Sequence, residues 1–179
     1  MSESGPASIH PQGIAPGDHE SYMRLALSLA TQSPPKPTNY RVGALVVDVA
    51  RNEVLATGYT LELPGNTHAE QCCLAKLADR YHVAPEFLAQ ALPDEVAIYT
   101  TVEPCSERLS GNLPCADRIL AVGGHRIRTV YVGVQEPDKF VSANPSAQRL
   151  RDAGIDVVHV PGLEKEILEV ATAGHEKPA

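Results

Sequence analysis

The chain has 179 residues, 43% hydrophobic and 21% charged. That length fits one domain and buries roughly 70% of its unfolded surface without a disulfide or metal staple. The net charge of -7 argues against broad nucleic-acid binding, which presents a basic face; it leaves room for a small anionic substrate held by a few cations. No stretch approaches the roughly 18 apolar residues of a membrane span, and Met1 to Gly17 is polar, Pro/Gly-rich and free of an apolar secretory segment. The expected location is the cytoplasm. There the four cysteines, at 72, 73, 105 and 115, stay reduced and read as ligands or core thiols rather than disulfides.

Residues 1–17 read as a leader, 18–175 as one domain and 176–179 as a tail. Asp18 suits the N-cap of a helix through about Thr31, with Met23, Leu25, Ala26, Leu27, Leu29 and Ala30 on a broad apolar side. Ser33-Pro34-Pro35-Lys36-Pro37 stops it. The apolar run Val42–Val49 predicts a buried strand, and Val54–Tyr59, after the Arg51-Asn52 turn, its antiparallel partner. A helix is expected from His68 to about Tyr81, then a strand over Val96–Thr101 ending at Glu103-Pro104-Cys105. Pro114 suits the first turn of a helix over Cys115–Val122. Ile127–Val134 reads as a strand, Pro145–Ala153 as a helix ended by Gly154, Ile155–Val160 as a fifth strand and Leu163–Ala173 as a last helix. A hairpin followed by alternating helices and strands predicts a three-layer α/β/α sandwich with a five-stranded mixed sheet.

Chemistry concentrates in His68-Ala69-Glu70, Pro104-Cys105 and Pro114-Cys115. One imidazole and two thiolates hold Zn²⁺ with three protein ligands and leave a fourth position open, the layout of a catalytic rather than a structural site. His68, Cys105 and Cys115 each fall at an expected helix start or beside one, where negative charge is favoured and thiols ionise. Glu70 is not needed as a ligand. It is placed to take a proton from a water at the open position, pass it to a ring nitrogen and then protonate a leaving amine. A lone histidine or buried cysteine is more often structural; the combination is what points to zinc. Cys72 and Cys73 sit inside the helix at no ligand spacing and read as packed core thiols. The other histidines lie in no comparable cluster.

His-x-Glu with Pro-Cys and a second cysteine resembles the zinc-dependent cytidine-deaminase-like superfamily. The resemblance covers about residues 20–160. Nine residues, Ser106 to Pro114, separate the two cysteines, longer than the common Pro-Cys-x-x-Cys. That departure resembles the riboflavin-biosynthesis branch, in particular its yeast and fungal form, as do Asn39-Tyr40-Arg41-Val42-Gly43-Ala44 (with Tyr40 in place of a proline), Gln135-Glu136-Pro137-Asp138 and Leu150-Arg151-Asp152-Ala153-Gly154-Ile155. The resemblance implies a zinc-dependent hydrolase that removes the amine at ring position 2 of 2,5-diamino-6-ribitylamino-4(3H)-pyrimidinone 5'-phosphate. It further implies a stand-alone deaminase, since only about one helix follows Val160, and a homodimer.

Substrate contacts are expected at Asn39, whose amide both donates and accepts, and at Arg41 and Arg108, which suit a phosphate. Ser106, Asn112 and Glu136 are further candidates. A turn asparagine and solvated surface arginines are the plainer alternatives. A zinc deaminase of a nucleoside, nucleotide or tRNA base remains open, as does a zinc-stabilised partner subunit without activity. Glu70 speaks against the last, because a structural site has no use for a proton shuttle.

Overall fold

A computed structural model describes residues 13–108, 110–135 and 145–175. The expected tail lies outside these residues, as does most of the expected leader. Of the leader, Ile14 is tied down, its carbonyl accepting from Asn52 Nδ2 at 2.9 Å.

Asp18 caps α1 (His19–Ala30), its carboxylate accepting the Ser21 amide at 3.1 Å. The strands are β1 (Gly43–Asp48), β2 (Glu53–Tyr59), β3 (Val96–Val102), β4 (Ile127–Val134) and β5 (Asp156–His159). They form one sheet in the order β2-β1-β3-β4-β5. β1 is antiparallel to both β2 and β3, whereas β3, β4 and β5 run parallel. The remaining helices are α2 (Ala69–Arg80), α3 (Leu88–Ala91), α4 (Cys115–Val122), α5 (Ser146–Asp152) and α6 (Glu164–Ala171).

Two apolar clusters flank the sheet, because alternate strand residues point to opposite faces. Ala44, Val46, Ile98 and Val130 pack with Leu77 of α2, Ile119 of α4 and Leu150 of α5. Leu45, Val47, Ala97 and Tyr99 pack with Met23 of α1 and Ile167 of α6. The result is the three-layer α/β/α sandwich with a mixed sheet. β1 and β3 are buried on both faces, which is why the first reads as an unbroken apolar run. One element escapes sequence reading: Pro85–Phe87 forms a single 3₁₀ turn leading into α3. Four helical residues are too few to show a 3.6-residue period.

The small residues Ala26 and Ala30 let α1 lie directly on β1 at Gly43. A Cβ there would stand 1.8 Å from the Ala26 carbonyl oxygen and 2.6 Å from the Ala30 nitrogen. Neither is a side chain that can move aside. We expect Gly43→Ala to cost about 1–3 kcal/mol, at the upper end of that range, by prising the helix off the sheet; urea unfolding followed by circular dichroism measures it.

The topology also places the site. β1 runs opposite to β3, so the segment entering β1 (Asn39–Val42) lies beside the C-terminal end of β3, with Ala44 opposite Thr100. Past that end come Glu103, Pro104 and Cys105.

Candidate metal centre and substrate cavity

His68 is the N-cap of α2 and Cys115 the first residue of α4. Cys105 lies on the turn after β3. Its carbonyl accepts the Ala116 amide at 3.0 Å and its sulfur accepts the Cys115 amide at 3.3 Å. The start of α4 thus directs one backbone N–H, that of Cys115, at the Cys105 sulfur, an environment that favours a thiolate. His68 Nδ1 stands 3.5 Å from each sulfur, and the three ligand atoms all lie within 4.8 Å of one another. A tetrahedral zinc with the usual bond lengths needs nitrogen–sulfur separations of roughly 3.6 Å. The residues therefore fit zinc, and they are the one such group among the described residues.

The two thiols share a proton. Hydrogen bonding from Cys115 draws Cys105 down to about 4, with His68 also favouring the thiolate and burial opposing it. Cys115 moves up, because it donates to Cys105 and is fully buried. One sulfur is thus ready to coordinate, and the other must give up a proton to do so.

Glu70, in the first turn of α2, is 3% exposed. Burial raises its pKa, and the negative charge on Cys105 raises it further. Thr100 Oγ of β3 lies 2.8 Å from Glu70 Oε1 and 2.9 Å from the Val102 carbonyl.

His68, Glu70 and Cys105 open into a cavity of about 760 Å³, a size that suits a small organic ligand. Asn39 and Arg108 line it too; Arg41, Ser106 and Asn112 do not. The Arg41 guanidinium instead donates to the Thr31 and Ser33 carbonyls, at 2.6 and 2.8 Å, closing the C-terminal end of α1. Ser106 is buried beside Cys105, and Asn112 is exposed at the tip of the cysteine loop. Glu136 lies outside the described residues. Arg108 reaches the cavity wall with its guanidinium already engaged. Nη1 donates to Gln71 Oε1 at 3.0 Å, Nη2 donates to the Asn66 carbonyl, and Nε is sealed from solvent. Asn39 Nδ2 donates to Asn66 Oδ1 across the mouth at 2.9 Å.

Two residues of the site give no signal in the sequence. Thr100 looks like any β-former within a strand. Lys36, between Pro35 and Pro37, reads only as part of a helix stop. The fold turns that segment over the cavity, where Lys36 lines the wall, is exposed, and makes no ion pair among the described residues. Glycine at 174 makes this possible: a Cβ there would meet the Lys36 amide at 2.2 Å.

A family model, that of the cytidine and deoxycytidylate deaminase zinc-binding region, matches residues 16–134, a span that includes His68, Glu70, Cys105 and Cys115. The chain belongs to this deaminase family. Among its relatives in the family is a diaminohydroxyphosphoribosylamino-pyrimidine deaminase of Schizosaccharomyces pombe, 34% identical over 173 residues. That match takes in 95% of this chain but only 39% of the yeast protein's length. The crystal structure of Aspergillus oryzae Rib2 deaminase, a C-terminal deletion mutant, is 48% identical, with a TM-score of 0.81 over 88% of this chain and 92% of that one. A complex of the same Aspergillus protein with DARIPP superposes with a TM-score of 0.79. The dCMP deaminase of cyanophage S-TIM5, at 23% identity and a TM-score of 0.55, shares the fold. Cys72 and Cys73 are buried, as expected of core thiols, and Cys73 Sγ donates to the Ala44 carbonyl at 3.5 Å.

Proposed function

We propose that this chain removes the amine at ring position 2 of 2,5-diamino-6-ribitylamino-4(3H)-pyrimidinone 5'-phosphate by hydrolysis, giving the 2,4-dione and ammonia, as a step of riboflavin biosynthesis. The observation that carries the reading is that His68 and Cys105 of the ligand cluster, together with the buried Glu70, line one cavity large enough for a ribitylated pyrimidine. The 48% identity to an Aspergillus oryzae deaminase solved with DARIPP supports the substrate class.

His68, Cys105 and Cys115 would hold a zinc ion, which when bound would lower the pKa of a water at an open fourth position toward about 7. Glu70 does the proton work. It takes a proton from a water that attacks carbon 2 and delivers it to the unprotonated ring nitrogen beside that carbon; it then takes the proton of the new hydroxyl on carbon 2 and passes it to the amine as the carbon–nitrogen bond breaks. Water contributes the oxygen that stays on carbon 2; nitrogen leaves as ammonia.

Thr100 suits Glu70 in both of its states. Its hydroxyl has one proton and two acceptors in reach. With Glu70 ionised, that proton points to Oε1; with Glu70 protonated, the carboxyl donates to Thr100, whose proton turns to the Val102 carbonyl. The buried carboxyl keeps a partner throughout the cycle, so it never stands unsatisfied in a dry site.

Lys36 is the cation best placed for the phosphate, because Arg41 and Arg108 spend their guanidinium groups on backbone and side-chain acceptors. Asn39 completes the wall beside it. We further propose that the enzyme works as a homodimer in the cytoplasm, without a nucleic-acid partner. Four unpaired cysteines suit a reducing compartment, and among the described residues no helix is long and apolar enough to cross a membrane.

Ammonia release from the ribitylated pyrimidine phosphate, from cytidine, from dCMP and from a tRNA anticodon stem tests the assignment. Turnover of the first is expected; turnover of cytidine alone would end it. Lys36→Met is expected to raise KM for the phosphorylated substrate about tenfold or more, the loss of one charge-assisted contact. It should leave kcat nearly unchanged and have no such effect on the dephosphorylated compound.

A further inference from the structure

We propose that Arg108 is a positioning residue for the metal ligands: it staples the long cysteine loop to the cap of α2 and holds His68, Cys105 and Cys115 at ligand spacing before the ion arrives. The inference rests on the zinc reading of the cluster.

Nine residues between the two thiols make a loop with many conformations, and bringing its ends together has an entropic cost that grows with length. Unless something holds the loop, metal binding must supply that cost. Arg108, three residues after Cys105, meets each segment that carries a ligand. Its Nη1 donates to Gln71 Oε1 at 3.0 Å, and the same oxygen accepts the His68 amide at 3.2 Å. One side-chain atom thereby joins the cysteine loop to the histidine ligand. Nη1 also approaches the Leu113 carbonyl at 3.4 Å, which accepts from Arg118 Nε of α4 at 3.2 Å. That fastens the far end of the loop to the helix that Cys115 begins. Nη2 donates to the Asn66 carbonyl, two residues before His68.

A guanidinium is suited to this task because its donors diverge in one rigid plane; an ammonium is a point charge on a flexible stem. Burial of Nε with no partner among the described residues fits the same role. A phosphate would take the two-pronged Nε/Nη2 edge, and here that edge is closed.

The test is release of zinc to an excess of chelator, followed with no substrate present. Arg108→Met is expected to release the ion about 10- to 100-fold faster than wild type, the range found for outer partners of metal ligands. Arg108→Lys should recover only part of the loss. Gln71→Leu, which removes the shared acceptor and keeps Arg108, carries the same expectation and serves if Arg108→Met does not fold. Combining the two should add little to either alone, since both break one chain of contacts. Cobalt(II)-loaded Arg108→Met should show a broadened thiolate-to-metal absorption band. The inference is overturned if Arg108→Met, folded by circular dichroism, releases zinc at the wild-type rate. It is equally overturned if that variant keeps zinc and loses only affinity for the phosphorylated substrate. Wild-type protein that takes up no zinc would instead sink the ligand assignment itself.

Discussion

Glu70→Gln is expected to lower kcat by about 10³- to 10⁴-fold, the upper part of the range for losing a general acid–base group, while zinc stays stoichiometric. Glutamine keeps the shape and an acceptor for Thr100 Oγ but can neither take nor give the proton. The upper part of the range applies because the same carboxyl serves several transfers. The substitution should also leave the metal-free protein as stable as wild type at neutral pH, or more so. Glu70 has its pKa raised by burial and by the charge on Cys105, so the folded state holds that proton more tightly than the unfolded chain does. Stability from this group is then fully present in acid. It is lost as pH rises from the ordinary carboxylate range through the raised folded value. Glutamine removes the dependence. Thermal melts of the two metal-free proteins from pH 4 to 8 should diverge toward the basic end, with the variant higher. Normal turnover by Glu70→Gln would refute the proton-shuttle role.

Cys115→Ala is expected to abolish zinc binding and activity together, with affinity falling more than about 100-fold, beyond the loss for an outer partner. Two remaining ligands cannot fix a tetrahedral ion. The variant should leave Cys105 less acidic as well, because the hydrogen bond from Cys115 is the largest cause of its depressed value. In wild type, Cys115 must shed a proton that burial and Cys105 hold in place, so zinc affinity should rise with pH and weaken in acid. Zinc per chain after dialysis against chelator, by elemental analysis across pH, checks both statements. Cys72→Ala and Cys73→Ala should keep full zinc. The contrast with Glu70→Gln, which keeps the metal and loses turnover, separates holding the ion from using it.

The chemistry of the site is legible in the chain because it depends on residue type and local position. His68 and Cys115 fall at helix starts, the second marked by Pro114, and Glu70 falls in the first turn of α2. Strand β1 is legible because burial on both faces imposes a continuous apolar run. Local sequence cannot say where a long side chain goes after leaving the backbone. Arg41 and Lys36 sit on the same segment, both beside the expected site. Folding α1 back against β1 presents the Thr31 and Ser33 carbonyls to Arg41, and these unsatisfied helix-end acceptors claim it. Among the described residues Lys36 meets no such acceptor, and it lines the cavity. Thr100 becomes a partner for Glu70, thirty residues away in sequence, only because α2 packs over β1 and β2 and brings its first turn to the neighbouring strand β3. Sequence alone determined that the chain carries a one-imidazole, two-thiolate zinc cluster with a carboxylate beside it. Tertiary structure decided which cations remain free for a substrate, because that depends on which backbone carbonyls the packed helices leave within reach.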